Sequence, residues 1–379
     1  MSIEINHTSG GSIAWDRYKV IFAGISAVIL TVGVARFSYT PFLHTMIVET
    51  GLSRFAGGIL ATLNYVGYLI GALLVARLHE ADSKFLLYRQ LLVVAVVSTV
   101  AMAWTQNVYI WAALRVTSGL SSVAGMLLAA GFVFDWLRRN GFQAELGLHF
   151  AGLGLGIVVS GLAAIAMQDH LHWNEQWEAM GILGIFFFVP AWKWMPKPTA
   201  IATSSQAVTV SPARSWMLLV TLAYFCAGFG YVISATFIVA ILETIPNLTG
   251  KGAWIWVLLG LAAIPASFIW DRIADRLGYI KALILGYILQ IISIVIPAAT
   301  DAFFPNLFAA FLFGITVTGI VSLMLSLVGR KYPSNSSSAM AKLTATYGVS
   351  QIIAPAIAGV MAATWGGYRG SLWMAAGMI

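Results

Sequence analysis

The chain has 379 residues, of which 60% are hydrophobic and only 9% are charged, and its mean hydropathy is +0.87. This composition excludes a soluble globular domain and predicts a polytopic membrane protein. The formal net charge is +7, but the basic residues are scattered among loops, so nucleic acid is not the expected partner. Because Cys226 is the only cysteine, one chain cannot build a disulfide framework or a thiolate metal site.

Apolar runs of about 20 residues, separated by polar turns, predict six membrane spans in each part of the chain. The predicted spans are residues 18–47, 53–78, 88–106, 108–136, 143–168, 176–196, 215–243, 251–271, 279–299, 304–329, 338–365 and 370–379. The expected fold class is therefore an all-α polytopic membrane protein with twelve transmembrane helices. The last run would reach only ~15 Å, so we expect the natural helix to extend past residue 379 or the chain to have been shortened.

The stretch between the two sets of spans, residues 196–214, is rich in Pro, Ser, Thr and Ala. Such a composition favours a flexible linker between domains. The predicted domains are a first six-helix half over residues 1–195 and a second six-helix half over residues 215–379. Two halves of this kind, joined on one side of the membrane, are typical of a transporter whose site lies between them.

Lysine and arginine occupy alternate connections between the predicted spans, which sets the expected orientation. One side of the membrane collects most of them: Arg17, Lys19, Arg77, Lys84, Arg89, Arg138, Arg139, Lys193, Lys197, Arg214, Arg272, Arg276, Lys281, Arg330, Lys331 and Lys342. By the positive-inside rule this side is cytoplasmic, so both chain ends are expected there. The opposite connections carry only Arg54, Lys251 and Arg369.

Arg36 lies deep in the first span, in the sequence GVARFSYTPFLH. A guanidinium at membrane depth costs between ~3 and ~15 kcal/mol, so it should face a watery cavity or a partner rather than lipid. The favoured interpretation is a functional site. The alternative is a structural arginine that bonds neighbouring carbonyls or reaches the membrane surface. No carboxylate occurs in the middle of a predicted span, so the usual intramembrane proton carrier is missing or peripheral.

Two motifs make the chain resemble the major facilitator superfamily over nearly its whole length. They are LRVTSGLSSVAG in span four, with Arg115 and Gly119, and WDRIADRLGYIKAL after span eight, with Asp275, Arg276 and Gly278. In detail, GVARFSYTPF, NYVGYLIGALL, HFAGLGLGIVVSG and YFCAGFGYVISATF resemble the YbfB/YjiJ-like branch. The resemblance implies the superfamily fold of two six-helix halves, location in the bacterial inner membrane and a monomer. The matching loop of the first half, ARLHEADSKF, departs from the motif, because Glu80 stands at the aspartate position and no glycine follows.

The loop after span eight is the candidate gate, formed by Asp271, Asp275, Arg276 and Gly278. An acid beside a tight glycine turn can accept hydrogen bonds from a helix N-terminus and pair with an arginine, which would hold the cytoplasmic side closed. The alternative is ordinary positive-inside charge with two incidental acids.

Polar residues on helical faces form the candidate substrate site, provided that the superfamily layout holds. Gly33, Arg36, Thr40 and His44 follow three-to-four spacing and so would share one face of the first span. The candidate substrate-binding residues are Arg36, Thr40, Asn64, Tyr68, Arg115, Tyr224, Tyr231, Tyr347 and Gln351. Arg115 is either a second positive charge or a structural anchor. The tyrosines are weak signals one by one, because aromatic residues also belt membrane interfaces.

Three further features have a structural interpretation that is favoured over a functional one. Glycines in span two (Gly67, Gly71) and span five (Gly152, Gly154, Gly156, Gly161) indicate close helix packing. His149 is expected to be an interfacial residue rather than a proton relay. The connection that carries Asp169, His170, His172 and Glu175 is expected to be a solvated loop rather than a metal site.

These features predict a secondary carrier that moves a small organic anion of the carboxylate type, with or without a proton, by alternating access. Arg36 would bind the anion, since a guanidinium presents a planar fork of donors to a carboxylate. The alternative is efflux of drug-like molecules through an adaptable pocket of aromatic and Met residues. A membrane enzyme is not favoured, because HExxH, a nucleophile elbow and an intramembrane acid pair are all lacking, and no cofactor or metal is expected. A sensor built on a carrier fold stays open.

Overall fold

The computed structural model of the chain describes residues 9–78, 80–142, 146–198, 214–243, 249–331, 336–365 and 367–379. These residues are almost wholly helical and include no strand. In the first part lie α1 (Ser9–Val28), α2 (Tyr39–Thr50), α3 (Arg54–Arg77), α4 (Ala81–Ala101), α5 (Val108–Val123), α6 (Ala130–Arg139), α7 (Leu146–Met167) and α8 (Trp173–Lys193). In the second part lie α9 (Arg214–Glu243), α10 (Gly252–Ala263), α11 (Ala266–Leu277), α12 (Tyr279–Ala299), α13 (Phe303–Lys331), α14 (Ser336–Trp365) and α15 (Arg369–Met378).

Most predicted spans agree with the observed helices to within a few residues. Nine helices among the described residues are long and apolar enough to cross a membrane, and a tenth span results if α10 and α11 are taken together. Helix α8 is 21 residues long but carries Glu175, Glu178 and Lys193, and α15 has only 10 residues. The count of twelve spans therefore stays a prediction, as does the linker, since residues 199–213 lie outside the described ranges.

Two spans depart from a uniform helix. The eighth predicted span breaks into α10 and α11 with a bend of 44°, because Pro265 at the junction has no backbone N–H to donate and cannot continue the helix. In the first span, a π-helical segment, Ile29–Phe37, connects α1 to the turn before α2. A second π-helical segment, Ala124–Ala129, connects α5 to α6. Such wide turns inside helices occur frequently at functional sites.

Close helix packing follows from glycine, as the sequence predicts. A Cβ added at Gly119 of α5 would overlap the backbone carbonyl of Asn64 in α3. Across a second contact, a Cβ at Gly33 would lie 2.5 Å from Cα of Gly156 in α7. Helices in lipid associate through close van der Waals packing rather than through the hydrophobic effect, and small residues permit that close packing.

Helices from the first and second parts of the chain meet most extensively along three pairs: α2 with α9, α3 with α14, and α7 with α10. Thr40 Oγ1 donates to the carbonyl of Ala235 at 2.9 Å, and Trp256 Nε1 donates to Ser160 Oγ at 3.0 Å. The candidate site lies beside these contacts, so it is built from both parts of the chain.

Candidate functional site

The π-helical segment of the first span positions Arg36. All nine of its residues, Ile29 to Phe37, are buried. The carbonyl of Ala35 accepts hydrogen bonds from Ser118 Oγ at 2.7 Å and from Arg115 Nη1 at 3.3 Å. Ser38 Oγ donates back to the carbonyl of Val34 at 2.7 Å. Side chains of α5 thus donate hydrogen bonds to a backbone carbonyl of this segment. These bonds fix the position of Ala35 and so of the neighbouring Arg36.

Arg36 is 8% exposed and is surrounded by aromatic rings rather than acids. Its guanidinium carbon lies 4.3 Å from the ring centroid of Tyr65, 5.3 Å from that of Tyr68 and 5.8 Å from that of Phe37. Arg36 Nε has no hydrogen-bond partner among the described residues. No carboxylate among the described residues forms an ion pair with the Arg36 guanidinium. Ring faces stabilise a buried cation only partially. The site therefore carries a positive charge that no negative charge of the described residues balances.

Arg115 has the opposite environment. It is 3% exposed, and its Nε and Nη1 atoms donate to the carbonyls of Leu60 at 3.4 Å and Ala35 at 3.3 Å. Its guanidinium carbon also lies 4.3 Å from the ring centroid of Tyr39. The sequence left two roles open for Arg115, a second positive charge for the ligand or a structural anchor. Its bonds to backbone carbonyls match the structural anchor.

Asn64 connects the same helices. Its Nδ2 donates to the carbonyl of Arg115 at 3.1 Å and to Ser118 Oγ at 3.3 Å. Its Oδ1 is buried without a partner among the described residues. One end of this amide therefore fixes α3 to α5, and the other end is an acceptor that no protein group uses.

A small cavity lies between these groups. The lining residues are Arg36, Phe37, Tyr39, Thr40, Ala61, Asn64, Tyr65, Arg115, Ala235 and Thr236. The cavity has room for about one water molecule. An organic ligand therefore requires a conformation in which the walls of this cavity stand further apart.

The structure brings most of the predicted site residues together. Arg36, Thr40, Asn64 and Arg115 line the cavity, and Tyr68 lies against Arg36. Tyr224, Tyr231 and Tyr347 form a stack of rings in the second part of the chain. Gln351 is 4% exposed on α14 but does not line the cavity. His44, expected on the face of Arg36, is only partly buried and also lies outside the lining, one helical turn beyond Thr40 in α2.

Sequence reasoning missed Tyr39, Tyr65, Ala235 and Thr236 as lining residues. Tyr39 follows Arg36 by three positions, which is a usable helical signal. Tyr65 adjoins Asn64, but a strict three-to-four spacing places it on another face. Nothing local marks Ala235 and Thr236, whose position depends on the contact between α9 and α2.

The candidate gate residues lie at the end of α11 and the turn after it. Asp271, Asp275 and Arg276 are exposed, and Gly278 has a φ of +83°, a conformation that favours glycine. Within the described ranges, no salt bridge involves these three charged side chains. Their role as a gate stays a prediction.

His149, expected to be an interfacial residue rather than a proton relay, is enclosed by protein. It is 1% exposed, and its Nε2 lies 3.0 Å from the carbonyl of Gly125 in the second π-helical segment. This contact makes His149 a packing partner of that segment, since the imidazole nitrogen can donate to the carbonyl.

The fold and the buried polar site define a membrane transporter rather than an enzyme. Residues 28–379 match the family of uncharacterised MFS-type transporters represented by YbfB. The chain belongs to this family, which confirms the resemblance seen in the sequence, and it is a multi-pass membrane protein of a bacterial transporter family.

One curated relative is the gentisate transporter of Corynebacterium glutamicum, which is 20% identical and aligns with 93% of this chain and 80% of its own length. Among solved structures, the nucleoside transporter NupG has a TM-score of 0.73 at 10% identity, covering 96% of each chain. A bacterial homologue of the human lysosomal transporter Spinster, in an inward-facing and occupied conformation, has a TM-score of 0.71 at 14% identity, covering 96% of this chain and 94% of that one. At these low identities, the solved structures show only that this chain has the major facilitator fold.

Proposed function

We propose that this chain is a secondary carrier that moves a small organic anion of the carboxylate class across the bacterial inner membrane. The observation that carries the proposal is Arg36: a buried guanidinium at the edge of a cavity, ringed by aromatic faces and without a carboxylate partner among the described residues. A buried charge without a counter-ion is costly. A carboxylate ligand would offset that cost by forming the bidentate pair that a guanidinium favours.

The closed cavity supports alternating access. Its walls come from both parts of the chain, since Ala235 and Thr236 lie opposite Arg36 and Thr40. With room for about one water molecule, it must open before an anion enters. Rigid movement of one half against the other, around a site at their interface, achieves this without breaking either half.

The contacts between the two parts indicate which side is closed. Thr40, Ser160 and Trp256 make hydrogen bonds across the interface, and Gly58 of α3 lies against Gly359 of α14. By chain order these residues lie toward the membrane side opposite the N-terminus. With the N-terminus in the cytoplasm, as the positive-inside rule predicts, this conformation is closed toward the periplasm.

The similarity to the gentisate transporter of Corynebacterium glutamicum supports a carboxylate as the cargo, because gentisate is an aromatic carboxylic acid. The identity of 20% supports the class of ligand and not the compound. Import, export and the coupling ion are questions for flux measurements in which the proton gradient is varied.

Thermal stability of the purified protein, measured with and without ligands, tests the proposal. The panel contains gentisate, benzoate, a short aliphatic carboxylate, and neutral and cationic drug-like compounds. A ligand at 100 times its Kd stabilises the folded state by about 2.7 kcal/mol. We expect a carboxylate to stabilise the parent and to drive flux in proteoliposomes, whereas Arg36→Gln should lose both effects.

Arg36→Lys is the matched control, because lysine keeps the charge but not the planar fork. We expect it to retain weakened binding. Equal stabilisation of the parent and of Arg36→Gln by cationic drugs, with no effect of any carboxylate, would overturn the proposal in favour of drug efflux.

A further inference from the structure

Three tyrosine hydroxyls inside this protein donate to backbone carbonyls of neighbouring helices. Tyr39 Oη donates to Gly57, Tyr88 Oη to Ala191 and Tyr287 Oη to Ala223, each at 2.8 Å. This is the ordinary behaviour of a buried tyrosine, whose hydroxyl needs a partner once it leaves water.

Four tyrosines around Arg36 depart from that rule. They are Tyr68, Tyr224 and Tyr231, which are 8%, 1% and 9% exposed, and Tyr347, which is partly buried. Among the described residues, none of their hydroxyls takes part in a hydrogen bond. One further hydroxyl, that of Tyr368, is buried without a partner among the described residues, and the Tyr368 ring packs on Phe237 instead. Four of these five hydroxyls therefore belong to the ring cluster at the candidate site.

Three of these four rings form a wall in the second half. The Tyr231 and Tyr347 centroids lie 6.1 Å apart with planes 20° apart, and Tyr224 stacks on Tyr347 at 4.4 Å and 25°. Tyr231 also stacks on Phe313 at 6.1 Å and 11°. Tyr231 is close enough to Arg36 to interact with it electrostatically. A near-parallel set of rings thus stands beside the cation.

A position in the aromatic belt of the membrane does not account for this cluster. Belt tyrosines lie at the water interface with exposed hydroxyls, whereas these rings are buried between α3, α9 and α14, next to a buried guanidinium. The hydroxyl oxygens of Tyr68, Tyr224, Tyr231 and Tyr347 are unbonded among the described residues but not fully enclosed, so they remain accessible to a ligand. The arrangement is expected of a binding site whose polar contacts are completed by the ligand.

We propose that the carboxylate carried by this protein has a hydroxylated aromatic ring, and that Tyr231 and Tyr347 determine this specificity. The inference rests on the proposed function, because it needs the carboxylate on Arg36. The ring would stack with the tyrosine wall, and its hydroxyl groups would bond the tyrosine hydroxyls, which both donate and accept. A ligand without hydroxyl groups would leave those tyrosines unpaired, and sites built in this way discriminate against such analogues.

The affinities of benzoate and a dihydroxybenzoate test the inference, measured for the parent, Tyr231→Phe and Tyr347→Phe. These substitutions remove only the hydroxyl. One neutral hydrogen bond corresponds to about a fivefold change in affinity. We expect the parent to prefer the dihydroxybenzoate at least fivefold. In at least one variant this preference should fall to below about twofold, while the affinity for benzoate stays the same.

Tyr88→Phe is the matched control. It removes a hydroxyl that is bonded to Ala191 in the first half, so it should lower thermal stability without changing the preference between the two ligands. If both site variants keep the parent's preference, the specificity inference is overturned while the anion site at Arg36 stands. If the parent binds neither benzoate nor the dihydroxybenzoate but binds aliphatic carboxylates, the aromatic class is wrong. If no carboxylate binds at all, the proposed function itself fails.

Discussion

At the scale of single residues, the protein contains two buried arginines that look alike in sequence and differ in their surroundings. Arg115 donates to the carbonyls of Leu60 and Ala35, whereas Arg36 contacts ring faces and keeps an unbonded Nε among the described residues. Both sit in apolar runs of similar depth. Their partners come from other helices, so spacing along the chain could not distinguish an anchor from a ligand-binding residue.

We therefore expect opposite effects of the same substitution on stability. Arg115→Gln should lower the free energy of unfolding by about 1–3 kcal/mol, because it removes two buried hydrogen bonds of a charged donor, to the carbonyls of Leu60 and Ala35. Arg36→Gln should leave it unchanged or raise it, because it removes a buried charge that lacks a counter-charge. Thermal melts of both variants without ligand check this. A larger loss for Arg36→Gln than for Arg115→Gln would contradict the assignment.

At the scale of helices, glycine decides where two backbones approach each other. Gly119 of α5 faces the carbonyl of Asn64 in α3, and Asn64 in turn bonds α5. The sequence correctly predicted that glycines serve packing, because small residues recur at short spacing on apolar helices. Which helix each glycine meets depends on the tertiary arrangement.

Gly119→Ala should destabilise the protein by about 1–3 kcal/mol, the usual cost of overpacking, because the new methyl group overlaps backbone that cannot rotate away. Gly131→Ala, in α6, is the comparison, since nothing lies within 4 Å of a Cβ at that position. There the higher helix propensity of alanine should stabilise by about 0.5–1 kcal/mol. Melting temperatures of the two variants should therefore move in opposite directions, and a shared direction would contradict the packing argument.

At the scale of the whole molecule, a few bonds hold the two parts of the chain together on one side. Trp256 of α10 donates to Ser160 of α7, and the Phe37 and Trp256 rings meet edge to face at 5.9 Å. Phe37 follows Arg36 directly. A ligand that moves the π-helical segment would therefore also disturb this contact, which links occupancy of the site to closure.

Ser160→Ala should favour opening on this side, because it removes a hydrogen bond that joins the two parts of the chain in this conformation. One neutral hydrogen bond of about 1 kcal/mol shifts such an equilibrium about fivefold. The reporter is Thr236→Cys in a Cys226→Ser background, since Thr236 lines the cavity, is 4% exposed and makes none of the closing hydrogen bonds named above, and Cys226 is the only native cysteine. Alkylation of this cysteine should be about fivefold faster with Ser160→Ala.

Ser122→Ala is the control for that experiment, since Ser122 Oγ donates to Thr31 within the first part of the chain at 3.1 Å. It should leave the alkylation rate unchanged. Equal rates in the parent and in Ser160→Ala would show that the contact between Trp256 and Ser160 does not hold this side closed.

The amino-acid sequence by itself determined the membrane class, most span boundaries and the interior position of Arg36, because long apolar runs and a charge within them are local properties. Only the tertiary structure decided that Arg115 is bonded to carbonyls, that Tyr39, Tyr65 and Thr236 line the cavity, and that the eighth span bends. It also placed His44 outside the lining, although Thr40 of the same helix lies in it. These features depend on partners that are distant in sequence and brought together when helices pack, so no periodicity within one helix encodes them.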